Sequence, residues 1–304
     1  MKSDLSRRGF LTAAASAPVA ALAGGSAMAM TPIERAGDPR LKLSLVAYSM
    51  RQYLTADDGA DGAMDLHGFV DWAAELGFGG VELTSYYFPE SPDAGYLRNL
   101  KRHCHVQGMP IAGGGIRNNL CHDPDSEATA QELAHIETWA ARYETLGAAP
   151  MRIFAGTPDG DASEEETVAN IIANLETVCA IGAAHGVIMA LENHGYLRDP
   201  DRLGRVIEAT DSPWFGLTLD SDNFDVDDPY AAFERFAPYA VNVHIKEMVT
   251  PVGQDSEPAD LARQLRALAD VGYRGYVGLE YEEAEDPYEA IPRLLGALRG
   301  ALPQ

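Results

Sequence analysis

Residues 186–194 read GVIMALENH, an apolar run of strand length that ends abruptly in a carboxylate, an amide and an imidazole. A continuous apolar run of this length is typical of a strand buried on both faces, as in a parallel sheet. Glu192 therefore stands where the core ends and a pocket can begin.

Three later segments repeat this pattern. They read FGLTLD at 215–220, VNVHIK at 241–246 and YVGLE at 276–280, and each closes with a group that can bind a metal or carry a proton. The carboxyl ends of parallel strands meet at one edge of a sheet or barrel, so we expect these side chains to lie together.

Strand-like and helix-like segments alternate along the rest of the chain. The predicted strands are 43–47, 80–83, 110–113, 151–154, 186–194, 215–220, 241–246 and 276–280. The predicted helices are 65–76, 96–106, 126–146, 164–184, 200–209, 230–236, 261–271 and 287–298. Such alternation implies a parallel sheet with helical crossovers, and eight units in about 260 residues favour a single (β/α)8 barrel spanning residues 30–304. A doubly wound open sheet is the alternative, but Gly113-Gly114-Gly115 lacks the spacing of a dinucleotide-binding turn.

The alternation of side chains along each strand tests the barrel prediction. Every second residue of a strand points to the same face. In the seventh strand one face carries Val241, Val243 and Ile245, and the other carries Asn242, His244 and Lys246. The bulky apolar face suits the helix layer, so we place the polar face, with the ionisable groups of all four strand ends, inside the barrel.

Composition narrows the classes of partner. The 304 residues carry a formal net charge of −23, and 46% of them are hydrophobic, enough for a large core. A strongly acidic surface repels phosphate backbones, which argues against nucleic acid as a partner.

The first 29 residues have the organisation of a twin-Arg export signal. Residues 6–12 read SRRGFLT, an Ala-rich apolar stretch follows, and residues 27–29 read AMA, which predicts cleavage after Ala29. The Arg pair could instead precede a membrane anchor, but the apolar stretch is short and rich in Ala and Gly. We expect export to the periplasm by the twin-Arg machinery, no stable membrane anchor and no later segment able to span a membrane.

Three cysteines, Cys104, Cys121 and Cys179, lack the spacing of a disulfide framework or a structural zinc site. One disulfide could form in an oxidising compartment, but the sequence does not indicate which two cysteines would pair.

Four residues at the strand ends form the predicted metal site: Glu192, Asp220, His244 and Glu280. Oxygen and imidazole donors without thiolates favour a divalent ion, Mn²⁺ first, with Mg²⁺, Co²⁺ or Zn²⁺ as alternatives. Taken singly, each residue is better explained by an ordinary salt bridge with a neighbouring Arg or Lys, and it is the four together that favour a metal site.

Further residues are candidates for catalysis or substrate binding. Glu192 and Glu280 could exchange protons with the substrate, and Lys246 could hold a developing oxyanion or be a solvated lysine. The candidate substrate-binding residues are Glu82, His194, Asn223, Arg117 and Tyr86. Glu82, at the end of the second strand, could instead support a metal ligand from behind.

Several motifs resemble the sugar phosphate isomerase/epimerase family of xylose isomerase-like barrels. The motifs are GGVEL at 79–83, LENH at 191–194, LDSDNF at 219–224, VHIKE at 243–247 and the glutamate at 280. The resemblance implies that Glu192, Asp220, His244 and Glu280 bind the metal and that the two glutamates are the acid/base pair. Ketose 3-epimerases of this family carry a histidine where this chain has Asn223, and the His-x-Lys pair at 244–246 is similar to the inosose dehydratase branch.

The sequence thus predicts a metal-dependent isomerase or epimerase acting on a sugar or keto-sugar, which could be oligomeric. A keto-sugar lyase or dehydratase using the same site is the alternative, and a non-catalytic exported sugar-binding barrel is a third reading. A phosphorylated substrate is disfavoured because the sequence has no dense Arg/Lys cluster. An endonuclease-IV-like zinc enzyme is also disfavoured, because it would need further histidines for a zinc cluster and a basic surface, and this sequence shows neither.

Overall fold

The computed structural model describes residues 30–55, 60–160 and 162–303, and its framework is eight parallel strands with a helix after each. The strands are β1 (Arg40–Val46), β2 (Val81–Thr84), β3 (Ile111–Gly115), β4 (Pro150–Ile153), β5 (Ile188–Glu192), β6 (Phe215–Asp220), β7 (Ala240–Ile245) and β8 (Arg274–Leu279). The helices are α1 (Leu66–Leu76), α2 (Ala94–Val106), α3 (Glu127–Leu146), α4 (Glu164–His185), α5 (Pro200–Ala209), α6 (Pro229–Phe236), α7 (Leu261–Asp270) and α8 (Pro287–Ala301).

The strands close into a barrel in the order β1-β8-β7-β6-β5-β4-β3-β2. This closure confirms the predicted (β/α)8 barrel. Two additions were not predicted: a one-turn helix at Arg51–Leu54 and a small antiparallel pair formed by Met248–Val249 and Glu257–Pro258. Both lie between a strand and the next main helix, where barrel loops vary most.

Local capping explains why the helix boundaries were predictable. The Asp65 carboxylate accepts a hydrogen bond from the Gly68 amide at the start of α1, and Gly77 ends that helix in the left-handed conformation. Ser163 and Glu166 form a reciprocal capping box at the start of α4. These are standard start and stop signals, and each is readable in the sequence.

Contacts across the barrel confirm the predicted alternation in β7. The Asn242 amide donates to Glu82 Oε2 at 2.7 Å, and His244 Nε2 lies 3.0 Å from the same oxygen. Because β2 and β7 are not neighbours in the barrel, their side chains can meet only in its interior.

Helix α4 corrects one expectation. By length and composition this helix could cross a membrane, whereas the sequence predicted no such segment after the export signal. In the fold, Val168, Ile171, Leu175 and Val178 of this helix are buried. The predicted export signal lies outside the described residues.

All three cysteines are buried and free. The described part of the chain therefore contains no disulfide.

Candidate functional site

Three predicted ligands form a buried cluster at the carboxyl end of the barrel. Glu192, Asp220 and His244 end or nearly end β5, β6 and β7, and one donor atom from each lies within 4.8 Å of the others. Within the described residues, His244 Nδ1 and Asp220 Oδ2 have no hydrogen-bond partner. A buried polar atom without such a partner is costly, so the cluster is suited to a cation.

Strand register and one amide hold this cluster together. Asp220 pairs with His244 across the neighbouring strands β6 and β7. The Asn193 side chain accepts from the Asp220 amide at 2.7 Å and donates to the Asp220 carbonyl at 3.0 Å. The ends of β5 and β6 are thereby joined, which fixes the separation of Glu192 and Asp220.

Glu82 was predicted either to contact the substrate or to support a metal ligand; it lies beneath His244 and does not line the cavity. It is almost fully buried and receives the His244 and Asn242 contacts described above. Burial raises the pKa of Glu82, but His244 and Asn242 outweigh it and lower the pKa overall. With His244 Nε2 directed at a carboxylate, Nδ1 is the nitrogen that faces the cluster, the usual arrangement of a metal-binding histidine.

Neighbouring carboxylates favour the protonated form of the His244 imidazole. Burial lowers the pKa of His244, but Glu82 and Glu280 raise it to about 10. The ring is therefore protonated at neutral pH, and a cation binding at Nδ1 would have to displace that proton.

Glu280 and Lys246 lie beside the cluster. Glu280 Oε2 is 3.6 Å from His244 Nδ1, and Lys246 Nζ is 3.3 Å from Asp220 Oδ2. Lys246 Nζ also approaches Glu282 at 3.0 Å and Glu280 at 3.8 Å. Burial lowers the pKa of Lys246, but Asp220 and Glu280 raise it well above its ordinary value, so the lysine is an ammonium cation.

Glu192 is held from two sides. Its Oε1 accepts from the Asn223 amide at 3.0 Å, and its Oε2 lies 3.4 Å from Arg152 Nε. Burial raises the pKa of Glu192 to about 7, even though Arg152 opposes the shift. A carboxyl group with such a pKa can both accept and release a proton near neutral pH.

Arg152 is a site residue that the sequence analysis missed. It lies in β4, its Nη2 donates to the Tyr86 hydroxyl at 3.2 Å, and its guanidinium stacks on Phe154 at 4.0 Å. A signal was present, because Met151 and Ile153 share one face of the strand and Arg152 and Phe154 share the other.

A cavity of about 320 Å³ opens above the cluster, in the size range of small-molecule sites. Its lining includes seven of the predicted residues: Glu192, Glu280, Lys246, His194, Asn223, Arg117 and Tyr86. Tyr48, Phe154, Arg198 and Glu282 complete the wall together with Arg152. His194 packs against the Phe154 ring with centroids 4.5 Å apart.

Several solved structures share the fold of this chain at low sequence identity. The 3-keto-D-glucoside 4-epimerase from E. coli has a TM-score of 0.64 at 17% identity, covering 86% of this chain and 99% of the epimerase. A D-psicose 3-epimerase from Clostridium cellulolyticum H10 has a TM-score of 0.68 at 17% identity, covering 86% of this chain and 100% of that enzyme. The IolI protein with a bound zinc atom has a TM-score of 0.67 at 15% identity, covering 86% and 96%.

No curated protein matches the sequence significantly. The family model described as xylose isomerase-like TIM barrel matches residues 70–299, which include all the candidate site residues. The chain therefore belongs to the xylose isomerase-like TIM barrel family.

Proposed function

We propose that this protein is a divalent-metal-dependent isomerase or epimerase of a sugar or keto-sugar. The buried cluster of Glu192, Asp220 and His244 carries the proposal. The activities of the keto-glucoside epimerase and the D-psicose epimerase, which share the fold, support it.

The donor set fits a divalent ion. Carboxylate oxygens and one imidazole nitrogen converge without any thiolate, and His244 Nδ1 and Asp220 Oδ2 lack other hydrogen-bond partners in the described chain. Mn²⁺ is our first candidate, and the bound zinc of the IolI structure keeps Zn²⁺ among the alternatives. A bound divalent ion would act as a Lewis acid that polarises a substrate carbonyl and stabilises negative charge on its oxygen. Glu192, Asp220, His244 and the adjacent Glu280 would hold it.

The glutamates move the proton in this proposal. Glu192 removes the proton from the carbon beside the carbonyl, which leaves an enediolate. Asn223 orients the Glu192 carboxylate throughout. Glu280 relays a proton from water in the open cavity to the neighbouring carbon or to the opposite face, giving an isomer or an epimer, and Glu192 then releases the proton it took to water.

Lys246 favours a second candidate, a keto-sugar lyase or dehydratase. Its buried ammonium group lines the cavity beside Glu280 and Glu282. An ammonium in this position can stabilise or protonate a departing hydroxyl group, so the same enediolate would expel that group instead of being reprotonated.

Solvent exchange distinguishes the two candidates. The Mn²⁺-loaded protein is incubated in D₂O with a panel of keto-sugars and 3-keto-glycosides and followed by NMR and ultraviolet absorbance. Deuterium in recovered sugar of unchanged formula supports the isomerase or epimerase, whereas a new enone absorbance supports the lyase. Absence of both changes across the panel contradicts the proposed enzyme and favours a sugar-binding role.

We also propose that the protein folds and acquires its metal before export. Twin-Arg transport carries folded proteins, and copper or zinc would outcompete Mn²⁺ at an oxygen/imidazole site filled outside the cytoplasm. Metal analysis of protein recovered from the periplasm tests this proposal. Mostly manganese is expected, and mostly copper or zinc contradicts it.

A further inference from the structure

Lys246 contacts two of the carboxylates that would hold a divalent ion. Its ammonium nitrogen lies 3.3 Å from Asp220 Oδ2, 3.8 Å from Glu280 Oε2 and 3.0 Å from Glu282 Oε2. Asp220 and Glu280 belong to the predicted metal site, whereas Glu282 does not. Because the lysine is 8% exposed, these carboxylates and not bulk water compensate its charge.

The contact between Lys246 and Asp220 lacks the alignment of a hydrogen bond. Asp220 Oδ2 has no hydrogen-bond partner among the described residues, so its 3.3 Å contact with the ammonium group is an ion pair alone. Exchange of the ammonium group for another cation at this oxygen therefore breaks no hydrogen bond.

Glu282 offers the ammonium group a counterion outside the metal site. It lies two residues beyond Glu280 in the loop after β8, and its side chain lines the cavity and is 37% exposed. Its contact with Lys246 is the shortest of the three. The charge of Glu282 therefore stays available to the lysine when a cation takes the other two carboxylates.

The segment after β1 fixes the backbone of the loop that carries Glu282. The Ser49 hydroxyl donates to the Leu279 carbonyl at 3.1 Å and accepts from the Tyr281 amide at 2.9 Å. Arg51 donates to the carbonyl oxygens of Tyr281 and Glu282, each at 2.9 Å. With this loop held in place, a small change in the lysine side chain is enough to leave the metal site and keep the contact with Glu282.

We infer that Lys246 is an internal counter-cation of the metal site, which competes with the divalent ion for Asp220 and Glu280, and that Glu282 retains its ammonium group once the ion is bound. This inference rests on the proposed function, since it assigns the regulation of the same site. An ammonium group and a divalent ion a few ångströms apart repel each other strongly in a buried site. The lysine therefore gives up the two shared carboxylates, and only the metal-bound protein presents its ammonium group to the substrate.

Calorimetric titration with Mn²⁺ tests the competition. Lys246→Met keeps a flexible side chain of similar length and removes the charge. We expect this variant to bind Mn²⁺ at least about tenfold more tightly than the wild type, because the competing cation is gone. Arg117→Met is the matched control, since Arg117 also lines the cavity but stacks on Tyr86. Equal or weaker binding by Lys246→Met, no binding by either protein, or an equal gain in the control overturns the inference.

Glu282→Gln tests the counterion outside the metal site. Loss of this charge is expected to weaken Mn²⁺ binding by about two- to fivefold, the contribution of a partly exposed ion pair. The same substitution combined with Lys246→Met should weaken binding less, because no ammonium group then needs the carboxylate. Equal reductions with and without Lys246 show a general effect of charge and contradict the role of Glu282.

A measurement on the wild type needs no substitution. The protein is treated with acetic anhydride with and without Mn²⁺, and the acetylation of each lysine is followed by mass spectrometry. Lys246 is expected to react faster in the presence of Mn²⁺, relative to the exposed Lys42 and Lys101. An unchanged or slower reaction of Lys246 contradicts its release from the metal site.

Deuterium exchange on the keto-sugar panel separates this inference from the proposed function. Exchange by the wild type, without a gain of Mn²⁺ affinity in Lys246→Met, supports the enzyme and overturns the counter-cation. The gain of affinity without exchange or elimination of any sugar supports the counter-cation and counts against the enzyme.

Discussion

The two halves of the cavity differ in chemistry. The half built on β5 to β8 carries Glu192, Asp220, His244 and Glu280, whose side chains converge within a few ångströms at the barrel centre. The opposite half, which we call the basic wall, lies at β2 to β4 and carries the guanidinium groups and aromatic rings of Arg117, Arg152, Tyr86 and Phe154. In the proposed function these halves would divide the work, the acidic half holding the metal and moving protons and the other half contacting the substrate.

The most damaging change to the acidic half is Asp220→Ala. It removes a fully buried ligand, so we expect deuterium exchange to fall by more than about 10³-fold, because both the metal and its charge stabilisation are lost. Exchange into the preferred keto-sugar is measured by NMR. Asp211→Ala, an exposed loop position, is the control, and equal activity of the two variants contradicts the assignment.

Glu280→Gln tests the proton transfer itself. Loss of the carboxylate is expected to reduce the exchange rate by about 10²–10⁴-fold, the usual contribution of a general acid or base. The amide is nearly the same size, so circular dichroism and melting temperature should change little. Unchanged turnover of every sugar tested would instead favour a non-catalytic binding protein.

Glu82→Gln should have a smaller effect, since Glu82 contacts His244 and not the cavity. We expect metal affinity to fall by about 10–100-fold, as for other groups that orient a ligand. Titration calorimetry with Mn²⁺ measures this loss. Glu75→Gln on the exposed side of α1 should leave the affinity unchanged, and a matching loss there would point to a general electrostatic effect.

Gly115→Ala acts first on the basic wall, through Arg152. The added methyl group would overlap Arg152, so we expect a loss of stability of about 1–3 kcal/mol and weaker substrate binding, with metal content unchanged. Thermal unfolding and metal analysis are the measurements. Lost metal would show that the two halves are not independent.

Gly296→Ala is the matched control for that substitution. A Cβ atom at Gly296 in α8 has no atom within 4 Å, and alanine favours a helix over glycine by about 1 kcal/mol. The variant should therefore melt slightly higher than the wild type. A lower melting temperature would contradict the open environment described for this position.

The same comparison explains what the sequence could predict. The acidic half was predictable because apolar strands mark where the core lies, and a polar group at each strand end repeats one pattern at β5, β6, β7 and β8. Helix starts were predictable from local caps such as Asp65 and Ser163.

The basic wall was harder to predict because it depends on tertiary contacts. Arg117 and Arg152 are distant in the sequence and meet only through Tyr86. Glu82 resembled a substrate group at a strand end, and only the closed barrel shows that it lies against His244. The role of Gly115 depends on the volume of a side chain from the next strand.

Titration of Mn²⁺ into the metal-free protein, followed by calorimetry, tests most directly whether the acidic half binds a divalent ion. The account predicts about one ion per chain for the single described cluster, with binding retained in Arg117→Gln and lost in Asp220→Ala. Absence of binding to the wild type, or undiminished binding to Asp220→Ala, would contradict it.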